Sequence, residues 1–260
     1  GTMCPSYMGT LDEEHSTRGR ANALRNVLSG LVPKDEFTGK RLHDVMDLCL
    51  ECKACKAECP SNVDMAKLKY EFLDHYHRAN GLPLRNRIFA AIANLSRVGS
   101  KFAPVSNWLA NSMLNRWLMD IFAGIDRRRP LPQFASETFE DWFRAHKPEG
   151  DGSKDEVVLF HDTFNNYNTP NVAIAATRFL ERTGYRVILV DKKCCGRPMI
   201  SKGMLSQAKE NAAWNIAKLA AYAEKGTPII GLEPSCLLTL RDEYPEFVRT
   251  EAAKKVGQLS

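Results

Sequence analysis

The sequence predicts a helical, cysteine-bearing domain followed by part of a parallel α/β domain. Three observations predict it. Apolar residues recur at helical spacing on both sides of a tight cysteine run at residues 49–59. A Pro-, Gly- and Ser-containing break falls at 148–153. Beyond it, short apolar runs alternate with helical patterns, as they do when parallel strands are joined by helices.

Taken in order, Ser16-Thr17 can cap a helix that places Ala21, Leu24, Val27 and Leu28 on one face and ends at Gly30. A second helix is expected from about Thr38 through Leu42, Val45, Met46 and Leu50, running into the cysteine loop. A third starts at Asp64 and carries Met65, Leu68, Phe72 and Tyr76. Residues 82–147 are Trp-rich, with helical patches at Leu84–Leu95 and Trp108–Phe122 and with Arg85, Arg87, Arg97, Lys101 and Arg116 among them. Ordinary core packing with a solvated basic face is the favoured reading of this stretch. An amphipathic surface for a membrane or a partner is the other. Arg127-Arg128-Arg129-Pro130 reads as a solvated connector.

The α/β part is expected as a strand at Val157–Phe160, a helix at Val172–Leu180 and a strand at Arg186–Val190 after Gly184. A long helix at Leu205–Glu224, a strand at Pro228–Leu232 and a short helix at Cys236–Arg241 follow. The expected domains are therefore 1–81, a helical connector at 82–147, and 154–260. Three strands are few for a doubly wound sheet, so this part is expected to be truncated.

The chemistry is carried by Cys49, Cys52, Cys55 and Cys59, the last followed by Pro60. This is the spacing that wraps a [4Fe–4S] cluster of the bacterial-ferredoxin kind. Proline pushes the fourth cysteine into extended backbone, and in two-cluster proteins that cysteine reaches the other cluster. Zinc usually takes two separated cysteine pairs, and disulfides suit a different compartment, so both are lesser alternatives. Cys4-Pro5 has the form of the last member of another such run. On the crossed pattern Cys4, Cys49, Cys52 and Cys55 complete one cluster and Cys59 points to a second, with the remaining ligands expected upstream of residue 1. The plainer alternative is a stray N-terminal thiol at Cys4.

A second group joins Cys194-Cys195-Gly196 and Cys236, expected at the carboxyl ends of neighbouring parallel strands, where open α/β sheets place their sites. Cys236 also falls near a helix N-terminus, which favours thiolate. A metal or redox site and small thiols packing the sheet edge both remain open.

Composition bounds the rest. The 260 residues are 44% hydrophobic and 26% charged, as in an ordinary soluble globular protein. No run of eighteen apolar residues exists to span a membrane, and Gly1-Thr2-Met3 opens no secretory signal. Cysteines grouped as metal ligands suit a reducing compartment, so a cytoplasmic location is expected, with a peripheral position at the inner face of the membrane as a variant. A net charge of +5 is too mild to mark a nucleic-acid binder. Lys53 and Lys56 read first as solvated loop charges and second as residues that tune a cluster. His15, His43, His75, His77, His146 and His161 are scattered, and no catalytic residue is assigned.

These residues resemble the iron–sulfur C-terminal part of FAD-linked D-2-hydroxyacid dehydrogenases, whose members oxidise D-2-hydroxyglutarate, D-lactate or glycolate. The segments that carry the resemblance are Met3 to Tyr7, Ser16 to Asn22, the Cys49–Pro60 run with Val63 to Lys67, and Lys193 to Pro198. The cysteine pair also looks like the CCG domain shared with heterodisulfide reductase and anaerobic glycerol-3-phosphate dehydrogenase subunits. The resemblance implies an α-helical ferredoxin-like iron–sulfur domain followed by a partial α/β CCG domain. It further implies electron transfer from a flavin to an acceptor, and an FAD-binding dehydrogenase domain in the same polypeptide or as a separate subunit. FAD itself is expected only in that upstream domain. The chain departs from the CCG pattern at Thr163 and Thr239, where cysteines would stand. A heterodisulfide-reductase-like thiol subunit is the alternative function.

Overall fold

Helix starts are set where side chains can satisfy the free amides of a first turn. The computed structural model, which describes residues 4–260, shows two such caps at the cysteine domain. Ser16 Oγ accepts from the Gly19 amide at 2.9 Å and Asp64 Oδ1 from the Lys67 amide at 3.0 Å. Only glycine fits at Gly19, because a Cβ there would stand 2.1 Å from the Glu13 carbonyl. The described residues form two compact units, 4–83 with 199–205 and 84–198 with 206–260.

The first unit contains α1 (Pro5–Thr10), α2 (Thr17–Leu28), α3 (Lys40–Asp47), α4 (Ala54–Glu58) and α5 (Met65–Asn80). Leu24 and Val27 of α2, Leu42 and Met46 of α3, and Met65, Phe72 and Leu73 of α5 form its core, with Cys49 and Cys55 packed against it. Burying a side chain such as Met46 or Phe72 stabilises this arrangement by about 1.5–3 kcal/mol. The expected second helix is shorter than its periodicity suggests. It ends at Asp47 and leaves Leu50 67% exposed. Lys69 of α5 is the cause, since its Nζ takes the Asp47 and Cys49 carbonyls at 2.9 and 2.7 Å and so ends the helical ladder there.

In the second unit the two expected patches of the Trp-rich stretch are four short helices, α6 (Leu84–Ala90), α7 (Ile92–Lys101), α8 (Ala103–Asn111) and α9 (Met113–Ala123). Each expected patch is cut in two. Ser112 is extended and caps α9 by accepting from the Asn115 amide. Core packing is not what the outer faces of α8 and α9 do, because Trp108 is 73% exposed and Met113 88%, with Leu114 and Phe122 also exposed. No helix among the described residues is long and apolar enough to cross a membrane.

The remaining elements are α10 (Phe139–Ala145), β1 (Glu156–Phe160), α11 (Thr163–Tyr167), α12 (Pro170–Arg182), β2 (Arg186–Ile188) and α13 (Arg197–Ile200). They continue as α14 (Leu205–Glu224), β3 (Ile229–Gly231), α15 (Pro234–Asp242), α16 (Tyr244–Val248) and α17 (Glu251–Leu259). The three strands are parallel in the order β2-β1-β3. Alternate residues of β1 serve opposite faces, as strand geometry requires. Val157 and Leu159 pack with Phe139 of α10 and Ala173 of α12. Val158 and Phe160 pack with Ala212, Ile216 and Leu219 of α14 and with Leu240, Tyr244 and Val256. Both faces are thus covered, which is why the strand reads as an unbroken apolar run.

Candidate metal centre

Cys4 is the residue before α1, and its sulfur lies 3.5 Å from Arg20 Nη1. Burial by itself raises its pKa, but the Tyr7 and Ser6 amides and the Arg20 guanidinium outweigh it and hold the thiol below its ordinary range. Cys49 is half-buried at the end of the α3 turn. Burial pushes its thiol up, against the Glu51 amide and the fields of Lys69 and Arg20, which favour thiolate. Cys52 is exposed between Glu51 and Lys53, both with left-handed φ of 54° and 60°. That alternation is uncommon for non-glycine residues and turns the loop tightly enough for Cys55, on α4, to come back toward Cys49. Cys59 follows α4 in extended backbone, as the proline after it demands.

Cys4, Cys49, Cys52 and Cys55 line one cavity together with Arg20, Glu51 and Lys53, and Cys59 is not among its lining residues. Among the described residues no three cysteine sulfurs lie within 4.8 Å of one another. The thiols of one tetrahedral zinc at a Zn–S distance of 2.3 Å would stand about 3.8 Å apart. A cluster of several irons holds its thiolates farther apart, one to each iron. The donor set, the spread of the sulfurs and the buried cations beside them therefore fit an anionic iron–sulfur cluster better than a single ion.

Two charged residues that the sequence reading passed over build this site. Arg20 is 1% exposed, and its Nε donates to the Val45 carbonyl at 3.1 Å. Lys69 is 5% exposed and stands 3.8 Å from the Glu51 carboxylate while holding the Cys49 carbonyl. Burial holds the Lys69 pKa down, opposed by Glu51. Lys56, read as a solvated loop charge, pairs with Asp64 at 3.0 Å and so ties α4 to the cap of α5.

The second cysteine group is built differently. Cys194 and Cys195 follow β2, and Cys236 lies in the first turn of α15 after β3. These strands are not neighbours, because β1 runs between them. At the carboxyl end of β1, in the gap, stands Thr163, whose side chain hydrogen-bonds Cys194. Cys195 Sγ and Cys236 Sγ are 3.0 Å apart and both residues are buried. Thr239 is turned to its own helix, its hydroxyl donating to the Ser235 carbonyl at 2.8 Å.

The loop bearing Cys194 and Cys195 is fixed by neutral groups. Asn215 Oδ1 accepts from the Lys193 amide at 2.8 Å, and its Nδ2 donates to the Lys193 carbonyl and the Tyr244 hydroxyl. Tyr244 donates to the Cys195 carbonyl at 3.0 Å, and Asn211 to the Cys194 carbonyl at 3.2 Å. Gly196, at φ 91°, supplies the turn that a larger residue would resist. Its neighbour Cys195 and then burial push the Cys194 thiol far up. A hydrogen bond from Cys194 lowers the Cys195 thiol, but Cys236 and burial overcome it and raise it strongly. Cys195 and Cys236 are packed into the sheet core, with Cys194 partly buried against it.

Comparison with known proteins agrees with this layout. The 4Fe-4S dicluster domain model matches residues 2–64 and the cysteine-rich domain model matches residues 158–241. The chain is 35% identical over 170 residues to the C component of the anaerobic glycerol-3-phosphate dehydrogenase of Escherichia coli K12, covering 65% of this chain and 43% of that protein. It is 25% identical to the D-2-hydroxyglutarate dehydrogenase of Pseudomonas putida over 98% of this chain and 29% of the relative. It is 24% identical to the glycolate oxidase iron-sulfur subunit of Escherichia coli K12 over 99% of this chain and 60% of the relative. The chain thus spans less than half the length of the first two of these relatives. No solved structure matches it significantly.

Proposed function

We propose that this chain, a 4Fe–4S dicluster domain followed by a cysteine-rich domain, is the iron–sulfur electron-transfer portion of a flavin-dependent D-2-hydroxyacid dehydrogenase. The observation that carries the proposal is the cavity lined by Cys4, Cys49, Cys52 and Cys55, with Cys59 left outside it. We assign those four thiolates to one cluster and Cys59 to a second. When bound, such a group supplies one-electron transfer. The chain's own residues hold the thiolates in place: Lys69 fixes the Cys49 carbonyl, the Glu51–Lys53 turn aims Cys52, and Lys56 with Asp64 anchors α4.

The oxidised substrate belongs to the flavin-bearing partner, either a further domain of the same polypeptide or another subunit. Similarity to the D-2-hydroxyglutarate and glycolate relatives supports a 2-hydroxyacid. The 35% identity to the glycerol-3-phosphate relative supports a phosphorylated polyol as the second candidate. The exposed apolar residues of α8 and α9, Trp108, Met113, Leu114 and Phe122, support a peripheral position on a membrane. Co-sedimentation with anionic vesicles tests that position.

The cluster assignment is tested by iron and acid-labile sulfide per chain, with low-temperature EPR, on wild type and Cys4→Ser after anaerobic reconstitution. A cubane signal that Cys4→Ser damages supports it, while zinc without sulfide removes the electron-transfer reading. The 3.0 Å separation of Cys195 and Cys236 favours a second reading, thiol–disulfide chemistry in the α/β unit. Counting alkylatable thiols in oxidised and reduced protein decides whether that pair closes.

A further inference from the structure

Arg20 lies on the same face of α2 as Leu24 and Val27, one and two turns before them, and is 1% exposed. Two of its three nitrogens are held. Nε donates to the Val45 carbonyl at 3.1 Å, and Nη1 reaches Cys4 Sγ at 3.5 Å. Nη2 is buried and has no hydrogen-bond partner. A guanidinium does not lose its proton in a protein, so the charge is permanent, and a permanent buried charge is retained only beside an opposite one.

The other buried cation among the unit's described residues, Lys69, has Glu51 at 3.8 Å. The described ion pairs give Arg20 no carboxylate. The remaining anionic capacity within reach is thiolate: Arg20 lines the cavity of Cys4, Cys49, Cys52 and Cys55, and its Nη1 stands 3.5 Å from Cys4 Sγ. The Val45 bond keeps the guanidinium from swinging out of the cavity.

We infer that Arg20 is the counter-charge and N–H donor of the cluster held by Cys4, Cys49, Cys52 and Cys55, with its free Nη2 as the donor, and that it raises the site's reduction potential. The inference rests on the four-cysteine assignment above. Reduction by one electron adds one negative charge at the site and takes up no proton from Arg20. A fixed cation and an N–H donor stabilise the more negative state, so reduction becomes easier. Arg20 is a tuning residue and forms no bond to iron.

The test is an EPR-monitored redox titration of the anaerobically reconstituted chain as wild type, Arg20→Met and Arg20→Lys. With iron and sulfide retained, Arg20→Met is expected to lower the reduction equilibrium at least tenfold, a midpoint shift of about 59 mV for one electron. Arg20→Lys, which keeps the charge and loses the fork, should shift it less. An unchanged midpoint in Arg20→Met overturns the inference. Should that variant lose its iron, wild type grown with nitrogen-15 arginine decides by pulsed EPR. A weak guanidinium nitrogen coupling to the reduced cluster supports Arg20 as the donor, and its absence overturns it. Failure of the four-cysteine assignment shows earlier and separately, as a wild type without iron or a Cys4→Ser variant with an undamaged signal.

Discussion

The two cysteine groups use the same side chain in opposite surroundings. At the first, sulfurs stand apart around a cavity, with the buried cations Arg20 and Lys69 beside them. At the second, Cys195 and Cys236 touch at 3.0 Å inside an apolar core, and the loop is held by the neutral side chains of Asn211, Asn215 and Tyr244. Spread sulfurs with positive charge suit thiolates that share an anionic ligand. Crowding at the second group works against ionisation of Cys194 and Cys195, because each thiolate would repel the next. Spacing in sequence says which thiols can meet, and the charge around them says in which state.

The largest expected effect separates the two groups outright. Cys55→Ser should abolish the iron content and EPR signal of the first site, while Cys195→Ser leaves iron per chain unchanged. Equal iron loss in both variants would break the contrast. Next, Lys69→Met removes one buried cation paired with Glu51 and both carbonyl bonds. Breaking a buried ion pair by removing one member costs about 3–5 kcal/mol, read as a lower denaturant midpoint for the first unit. Asn215→Leu removes both bonds to the Lys193 backbone and the one that the Tyr244 hydroxyl accepts in the second unit, at a cost of about 1–3 kcal/mol. If the neutral scaffold proves as costly to lose as the charged one, the distinction weakens.

Acid titration sharpens the comparison with smaller effects. Burial and the charge of Lys192 hold the His161 pKa below its ordinary value, although Glu140 binds its Nε2 at 2.7 Å. The unfolded chain takes up that proton first, so the second unit should lose stability as pH falls below about 6.5. In the first unit burial raises Asp64, but the Lys67 amide and Lys56 outweigh it and hold the carboxyl below its usual range. Its contribution is present above about pH 4 and lost as pH falls through the folded value. Asp64→Ala should cost about 1 kcal/mol as a lost cap and flatten that acid limb. Thermal melts between pH 3 and pH 8, followed by probes specific to each unit, check both.

Much of this could be read from the residues alone. The cysteine run, the Ser16 and Asp64 caps and the helix at Leu205–Glu224 required only spacing and local hydrogen bonding. Where α3 ends did not, because the residue that ends it, Lys69, lies on another helix. Arg20 and Lys69 were passed over because charged helix residues usually face water. A signal was nevertheless present. Arg20 shares a face with Leu24 and Val27, and Lys69 with Met65, Phe72 and Tyr76, so each places a cation inside an apolar stripe. The strand order was illegible, since the central place of β1 comes from long-range pairing, and it is β1 that separates the ends once expected side by side.

That order also bears on how the second unit forms. Its central strand comes first in the chain, and both edges must find it. Val157 pairs with Val187, whereas Val158 pairs with Ile229, more than twice as far along the chain. Closing the longer loop forfeits more chain entropy before any contact compensates. During synthesis the β1–β2 pair can therefore assemble while α14 and β3 are still being made, and one edge of β1 waits open until Ile229 arrives. Docking of β3, the step that brings Cys236 to Cys195, is accordingly the late event of refolding.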